Sequence, residues 1–249
     1  MEVLCNMSDF KSFLNCYEFD VTLPGSGESI KIKPIVTGQL KKLLVHENDD
    51  NPMLVDEILD ELMTDSVVTK GFKIDNLSLQ DRFFLLVELR KISKGALYKF
   101  QMVCDKCKSQ SLHAIDLNKL KVTKLSDKVN YDIKLDDNIT ITMSYITRGE
   151  QKKAFKKVKK TDSTTMQMAD MSTLSFASAI KSVTLPDGGN DMTLDDGIYM
   201  VDNMTQGMYD SLTEWVHDNN YGVEFKSELV CSGCGNKREL EIPLENFFF

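Results

Sequence analysis

Residues 95–117 read GALYKFQMVCDKCKSQSLHAIDL, and residues 222–244 read GVEFKSELVCSGCGNKRELEIPL. The second stretch lies 127 positions after the first. Without a gap, Gly95 falls on Gly222, Lys99 on Lys226, Val103 on Val230 and Cys104 on Cys231. Cys107 then falls on Cys234, Ile115 on Ile242 and Leu117 on Leu244. Repeated self-similarity of this kind is the mark of a duplicated unit. Each copy predicts an extended run, a Cys-x-x-Cys turn and a returning strand.

The repeat extends upstream more weakly. Phe19, Val21 and Leu23 alternate with polar residues, as do Ile30 and Ile32, with Pro24-Gly25-Ser26-Gly27 as the turn. Tyr131, Ile133 and Leu135, then Ile139, Ile141 and Met143, predict a second hairpin. Thr37 and Thr147 each open a helix and are each followed by a Lys-Lys pair. Further helices are predicted at about 53–63, from Ser78 to Gly95, and at about 166–181, 194–203 and 205–219. The Thr147 helix is expected to continue to about Lys160. Asp187-Gly188-Gly189-Asn190 is read as a loop. The expected fold is α+β: two hairpin–helices–zinc-knuckle modules, residues 1–118 and 119–249, sharing one split four-cysteine zinc ribbon in a compact unit.

Four of the six cysteines, Cys104, Cys107, Cys231 and Cys234, form the two pairs. Zinc takes four thiolates tetrahedrally, and a short turn between strands presents two of them. The expected cofactor is a structural Zn2+ clamping the two halves. Iron in a rubredoxin-like site is an alternative. A redox dithiol is another, although such a motif should open a helix in a βαβ unit. Cys5 and Cys16 are read as ordinary thiols, and His113, near the first knuckle, as a core or surface histidine.

With 30 Lys and Arg against 38 Asp and Glu, the 249-residue chain carries a net charge of −8. That balance argues against wholesale binding of nucleic acid or anionic membrane. The apolar run Phe83–Val87 is far short of the ~20 residues a membrane span needs. The opening MEVLCNMSDF shows neither a basic n-region nor an apolar h-region, so a reducing cytoplasm is the expected compartment.

Charge is segregated. Lys152, Lys153, Lys156, Lys157, Lys159 and Lys160 form a basic run, read as a solvated face or a dock for an acidic partner. Residues 47–65 hold eight acids and no Lys or Arg. Seven methionines lie between Met166 and Met208, as core filler or an adaptable surface. Phe247-Phe248-Phe249 is either an aromatic anchor for a partner or a tail folded back on the ribbon. None of His46, His113 and His217 joins a nucleophile pattern, and no phosphate-binding or dinucleotide loop is present, so no enzyme activity is expected.

The N-terminal hairpin leading to Thr37, the two cysteine pairs and the Asn246-Phe247-Phe248-Phe249 stretch together resemble the baseplate hub assembly proteins of T-even-like tailed bacteriophages. The resemblance implies an assembly factor needed to build the baseplate hub and absent from the finished particle; the expected mechanism is chaperone-like, with transient binding of hub or tape-measure subunits in the host cytoplasm. It implies no active site. A permanent structural subunit of the hub and a zinc-ribbon nucleic-acid-binding protein are the alternatives.

Overall fold

The computed structural model describes residues 2–3, 17–45, 52–158, 164–244 and 247–248. Cys5, Cys16, His46, Lys159, Lys160 and Phe249 lie outside them. The chain begins β1 (Glu2–Val3), β2 (Tyr17–Thr22), β3 (Ser29–Ile32), α1 (Thr37–Val45) and α2 (Pro52–Ser66). A 3-10 turn (Ile74–Asn76) leads to α3 (Leu79–Lys94), then β4 (Leu97–Val103) and β5 (Gln110–Asp116). After a second 3-10 turn (Leu117–Lys119) come β6 (Val122–Thr123), β7 (Asp132–Lys134), β8 (Thr140–Met143), α4 (Arg148–Phe155) and α5 (Thr164–Ala179). The rest is β9 (Ile180–Leu185), β10 (Gly188–Asp191), α6 (Leu194–Asn203), α7 (Gln206–Asp218), β11 (Gly222–Val223), β12 (Lys226–Val230) and β13 (Lys237–Glu241). The class is α+β, with helices beside small antiparallel sheets.

Contacts divide the chain into two units: Met1–Phe72, Phe83–Thr123 and Gly222–Phe249 form one, and Lys73–Arg82 with Lys124–Tyr221 the other. This differs from the expected boundary at 118/119, which separates the two cysteine pairs. Residues 222–249 join the first half through a short strand pairing, Gly222↔Thr123 and Val223↔Val122, and through contacts such as Tyr98 Oη with Pro243 O and Phe83 with Phe225.

In the first unit the alternating residues behave as their period requires. Phe19 pairs with Ile32 and Val21 with Ile30, and Val21, Leu23, Ile30 and Ile32 are buried. Gly27, at φ +69, closes the turn by donating its N–H to Leu23 O at 3.0 Å. Helix α3 buries Phe84, Leu85, Leu86, Val87 and Leu89, so nearly its whole circumference is covered. It stops at Gly95, whose φ of +95 admits the left-handed cap.

The second unit is built on a sheet of order β10-β9-β8-β7. Ile141, Met143, Ala177, Ile180, Val183, Val201, Leu212 and Trp215 form its core. Trp215 Nε1 donates to Asn130 O at 2.6 Å, satisfying its one polar atom. Helix α6 approaches α5 closely because position 197 is glycine: a Cβ there would lie 2.6 Å from Ala177 O.

Two expectations are corrected in this unit. The helix through 181 ends at Ala179, and residues 180–191 form the β9–β10 hairpin where a helix end and a loop were expected. Ile180 and Val183 pair with Met143 and Ile141 of β8, and burial on that sheet overrides helical continuation. The lysine-rich helix ends at Phe155, not Lys160. Lys152/Lys156 and Lys153/Lys157 would face each other one turn apart, and such like-charge pairs disfavour another turn.

Candidate metal centre

Each cysteine pair sits in the six-residue loop between two antiparallel strands. The flanking pairs are Val103↔Gln110 and Val230↔Lys237, positions 127 residues apart in the two similar stretches. The loops are closed identically. Cys104 N–H donates to Ser109 O and Cys231 N–H to Asn236 O, both at 2.9 Å. Lys108 N–H reaches Cys104 O at 2.8 Å and Gly235 N–H reaches Cys231 O at 2.9 Å. The residue after each second cysteine is left-handed, Gly235 at φ +69 and Lys108 at φ +60. Glycine takes that conformation freely; a lysine does so at a cost of roughly 1 kcal/mol.

All four sulfurs lie within 4.8 Å of one another. Cys104 Sγ is 3.8 Å from Cys234 Sγ, and Cys107 Sγ is 3.6 Å from Cys231 Sγ. Each short contact thus joins the first cysteine of one knuckle to the second of the other. A disulfide would bring sulfurs to about 2.05 Å, so these are separate thiols. A tetrahedral ion with bonds of about 2.3 Å to sulfur sets its ligands about 3.8 Å apart. The observed spacings fit that edge. Cys104 and Cys231 are buried, and Cys107 and Cys234 are exposed.

The electrostatics of the cluster are uneven. The Ser109 hydroxyl stands 2.9 Å from Cys107 Sγ and 3.4 Å from Cys231 Sγ. It is the main influence holding both thiols below their usual range, and Cys231, helped by the N–H groups of Cys234 and Gly233, falls to about 6. Cys234 is favoured as thiolate by the Asn236 N–H. Its hydrogen bond with the Cys107 thiol, a partial loss of solvation and the nearby Cys231 and Cys104 thiols outweigh this and push it up to about 11. Four thiolates this close repel one another unless a cation lies among them. An all-sulfur, closed donor set suits zinc or iron and leaves no position for a substrate. Among the described residues, these four are the group placed to hold a metal.

The ribbon is supported from both ends. Asp105 pairs with Arg238, and Arg238 Nη2 donates to Val103 O at 3.4 Å. Tyr98 Oη donates to Pro243 O at 2.8 Å. Phe100 stacks between Tyr98, at 5.4 Å, and His113, at 5.9 Å. His113 Nε2 pairs with Ser111 Oγ at 2.8 Å, in that stack and outside the cysteine cluster.

The other candidate residues are placed as follows. Phe247 and Phe248 are buried, Phe247 packing edge-on against Tyr98 at 5.1 Å. Arg90, itself buried, donates through Nε to Phe247 O and through Nη1 to Gly95 O, and lies over the Tyr98 and Phe247 rings. The two described phenylalanines therefore fold back on the ribbon instead of standing out as an exposed anchor. In the second unit Lys152 bonds Asp75 at 2.7 Å and Lys157 pairs with Asp195, while Lys153 and Lys156 are exposed. Two of the four described lysines of the basic run are thus paired with the chain's own acids. Sequence reasoning passed over Ser109, Gly233 and Arg90. A hydroxyl two residues after Cys107 and a glycine inside Cys-x-x-Cys were readable signals; nothing local marks Arg90.

No helix among the described residues is long and apolar enough to cross a membrane. A family model described as T4 bacteriophage base plate protein matches residues 16–249. No curated protein and no solved structure matches the chain.

Proposed function

Starting from a chain that belongs to the T4 bacteriophage base plate protein family, we propose that it is a non-enzymatic assembly factor for the baseplate hub, acting in the host cytoplasm. The observation that carries this reading is the family match, which spans both cysteine pairs. The thiolate cluster supports it: a closed four-sulfur site builds a scaffold and activates no water.

In this reading Zn2+ is held by Cys104, Cys107, Cys231 and Cys234 and clamps strands distant in sequence. Its binding is coupled to folding of the ribbon. The ribbon is a duplicated element. Equal loop closures, left-handed residues at 108 and 235, and glycines 95 and 222 at φ +95 and +94 support that origin. The scaffold presents helices of the chain, with the exposed Lys153 and Lys156 among their charges, to hub or tape-measure subunits. It holds them in an assembly-competent state and leaves. Release requires modest affinity, which charged surfaces give more readily than large apolar ones.

The test is quantitative mass spectrometry of infected-cell lysate and purified particles. Abundance in lysate with absence from particles is expected. Fixed copies per particle would instead make the protein a permanent hub subunit.

A further inference from the structure

We propose that the Ser109 hydroxyl is a positioning group of the metal centre, donating one hydrogen bond shared by thiolates of opposite knuckles, Cys107 and Cys231. The inference rests on the four-thiolate metal reading above.

The geometry carries it. Ser109 Oγ lies 2.9 Å from Cys107 Sγ, in its own knuckle, and 3.4 Å from Cys231 Sγ, in the other. A metal-bound thiolate has no proton to give, so the hydroxyl is the donor, and its single hydrogen serves both sulfurs. The backbone of Ser109 is fixed, because its carbonyl accepts the Cys104 N–H at 2.9 Å.

Gly233 makes the approach possible. A Cβ at that position would stand 2.7 Å from Ser109 Oγ, 3.2 Å from Ser109 Cβ and 3.5 Å from Cys107 Sγ. The hydroxyl would have to swing away. The arrangement has no counterpart on the other side: the position equivalent to Ser109 is Asn236, which meets Cys234 through its backbone N–H. One side-chain donor therefore holds two sulfurs of four, and the two it holds form the shorter of the two close contacts, 3.6 Å against 3.8 Å. Groups that hydrogen-bond metal ligands typically change metal affinity about 10–100-fold when removed.

The experiment uses the full chain as wild type, Ser109→Ala, Gly233→Ala and Asn236→Ala. Zinc affinity is read by competition with a chromogenic chelator, and the thiolate-to-metal charge-transfer band is read with Co2+ in place of zinc. Wild type should bind one ion. Ser109→Ala should bind it about 10–100-fold more weakly, and its band should move to lower energy, because a thiolate without a donor is more easily oxidised. Gly233→Ala, which keeps the hydroxyl but displaces it, should do the same. Asn236→Ala should match wild type. Ser109→Ala or Gly233→Ala with wild-type affinity and an unshifted band would overturn the proposal and leave the metal centre standing. A wild type that binds no ion would remove the metal centre as well. If Ser109→Ala does not fold, Gly233→Ala decides the matter.

Discussion

A serine at position 107 or 234 keeps the shape of the side chain and removes the soft donor. With Cys107→Ser or Cys234→Ser, bound zinc should fall to background by atomic absorption, and the ribbon should lose its cooperative melt. A folded, metal-free double variant would sink the metal reading. The glycines that start the two similar stretches are a second residue-scale case. Gly95 and Gly222 share a φ near +95, which a side chain occupies only under strain. Gly95→Ala or Gly222→Ala should each cost about 1–2 kcal/mol in denaturant unfolding. The four clustered cysteines were legible because their spacing repeats at a fixed offset. Ser109 was not singled out, because its role depends on a neighbour 122 residues away.

At the scale of elements, the period of apolar residues foretold most of the strands and helices, since burial of one face sets that period. It did not foretell β9–β10. The helix was expected to run to about 181, with no strand after it, and pairing with β8, as of Ile180 with Met143 and Val183 with Ile141, makes residues 180–185 a strand. The short α4 offers a pH test. Burial opposes ionisation of Glu150, but bonds from Lys181 Nζ at 2.6 Å and Thr147 N at 2.9 Å outweigh it. Its folded pKa is lowered. The group therefore stabilises the fold fully above the usual carboxylate range. That contribution disappears as pH falls through the lowered folded value. Wild type should exceed Glu150→Gln by no more than about 1 kcal/mol at neutral pH, because the pair is partly exposed. The gap should close in acid, as followed by thermal melts at several pH values.

For the whole molecule, contacts group the residues differently from a division at 118/119. Similarity between two stretches of sequence does not require two separate bodies, and strand pairing at 122–123, the Tyr98–Pro243 and Arg90–Phe247 hydrogen bonds and the cysteine cluster bring both knuckles into one unit. The other unit keeps its own core around Trp215, the chain's only tryptophan. Chelation of the ion should therefore abolish hydrogen-exchange protection in 97–116 and 226–242. Protection in 140–143 and 180–185 should persist, and Trp215 fluorescence should stay native. Loss of protection in both units at the same chelator concentration would show that the core around Trp215 does not stand without the ion.

The distance between the knuckles is also an interval of time. Cys231 follows Cys104 by 127 residues, and a ribosome adding ~5–20 residues per second needs about 6–25 s to deliver it. During that interval the first knuckle is a bare dithiol on a growing chain. It can hold an ion only incompletely, and a chain that terminates early never receives the second half of the cage. Where these four thiols hold an ion, its capture thus waits for translation of the second knuckle, and a tightly held metal marks a chain synthesised at least as far as Cys234.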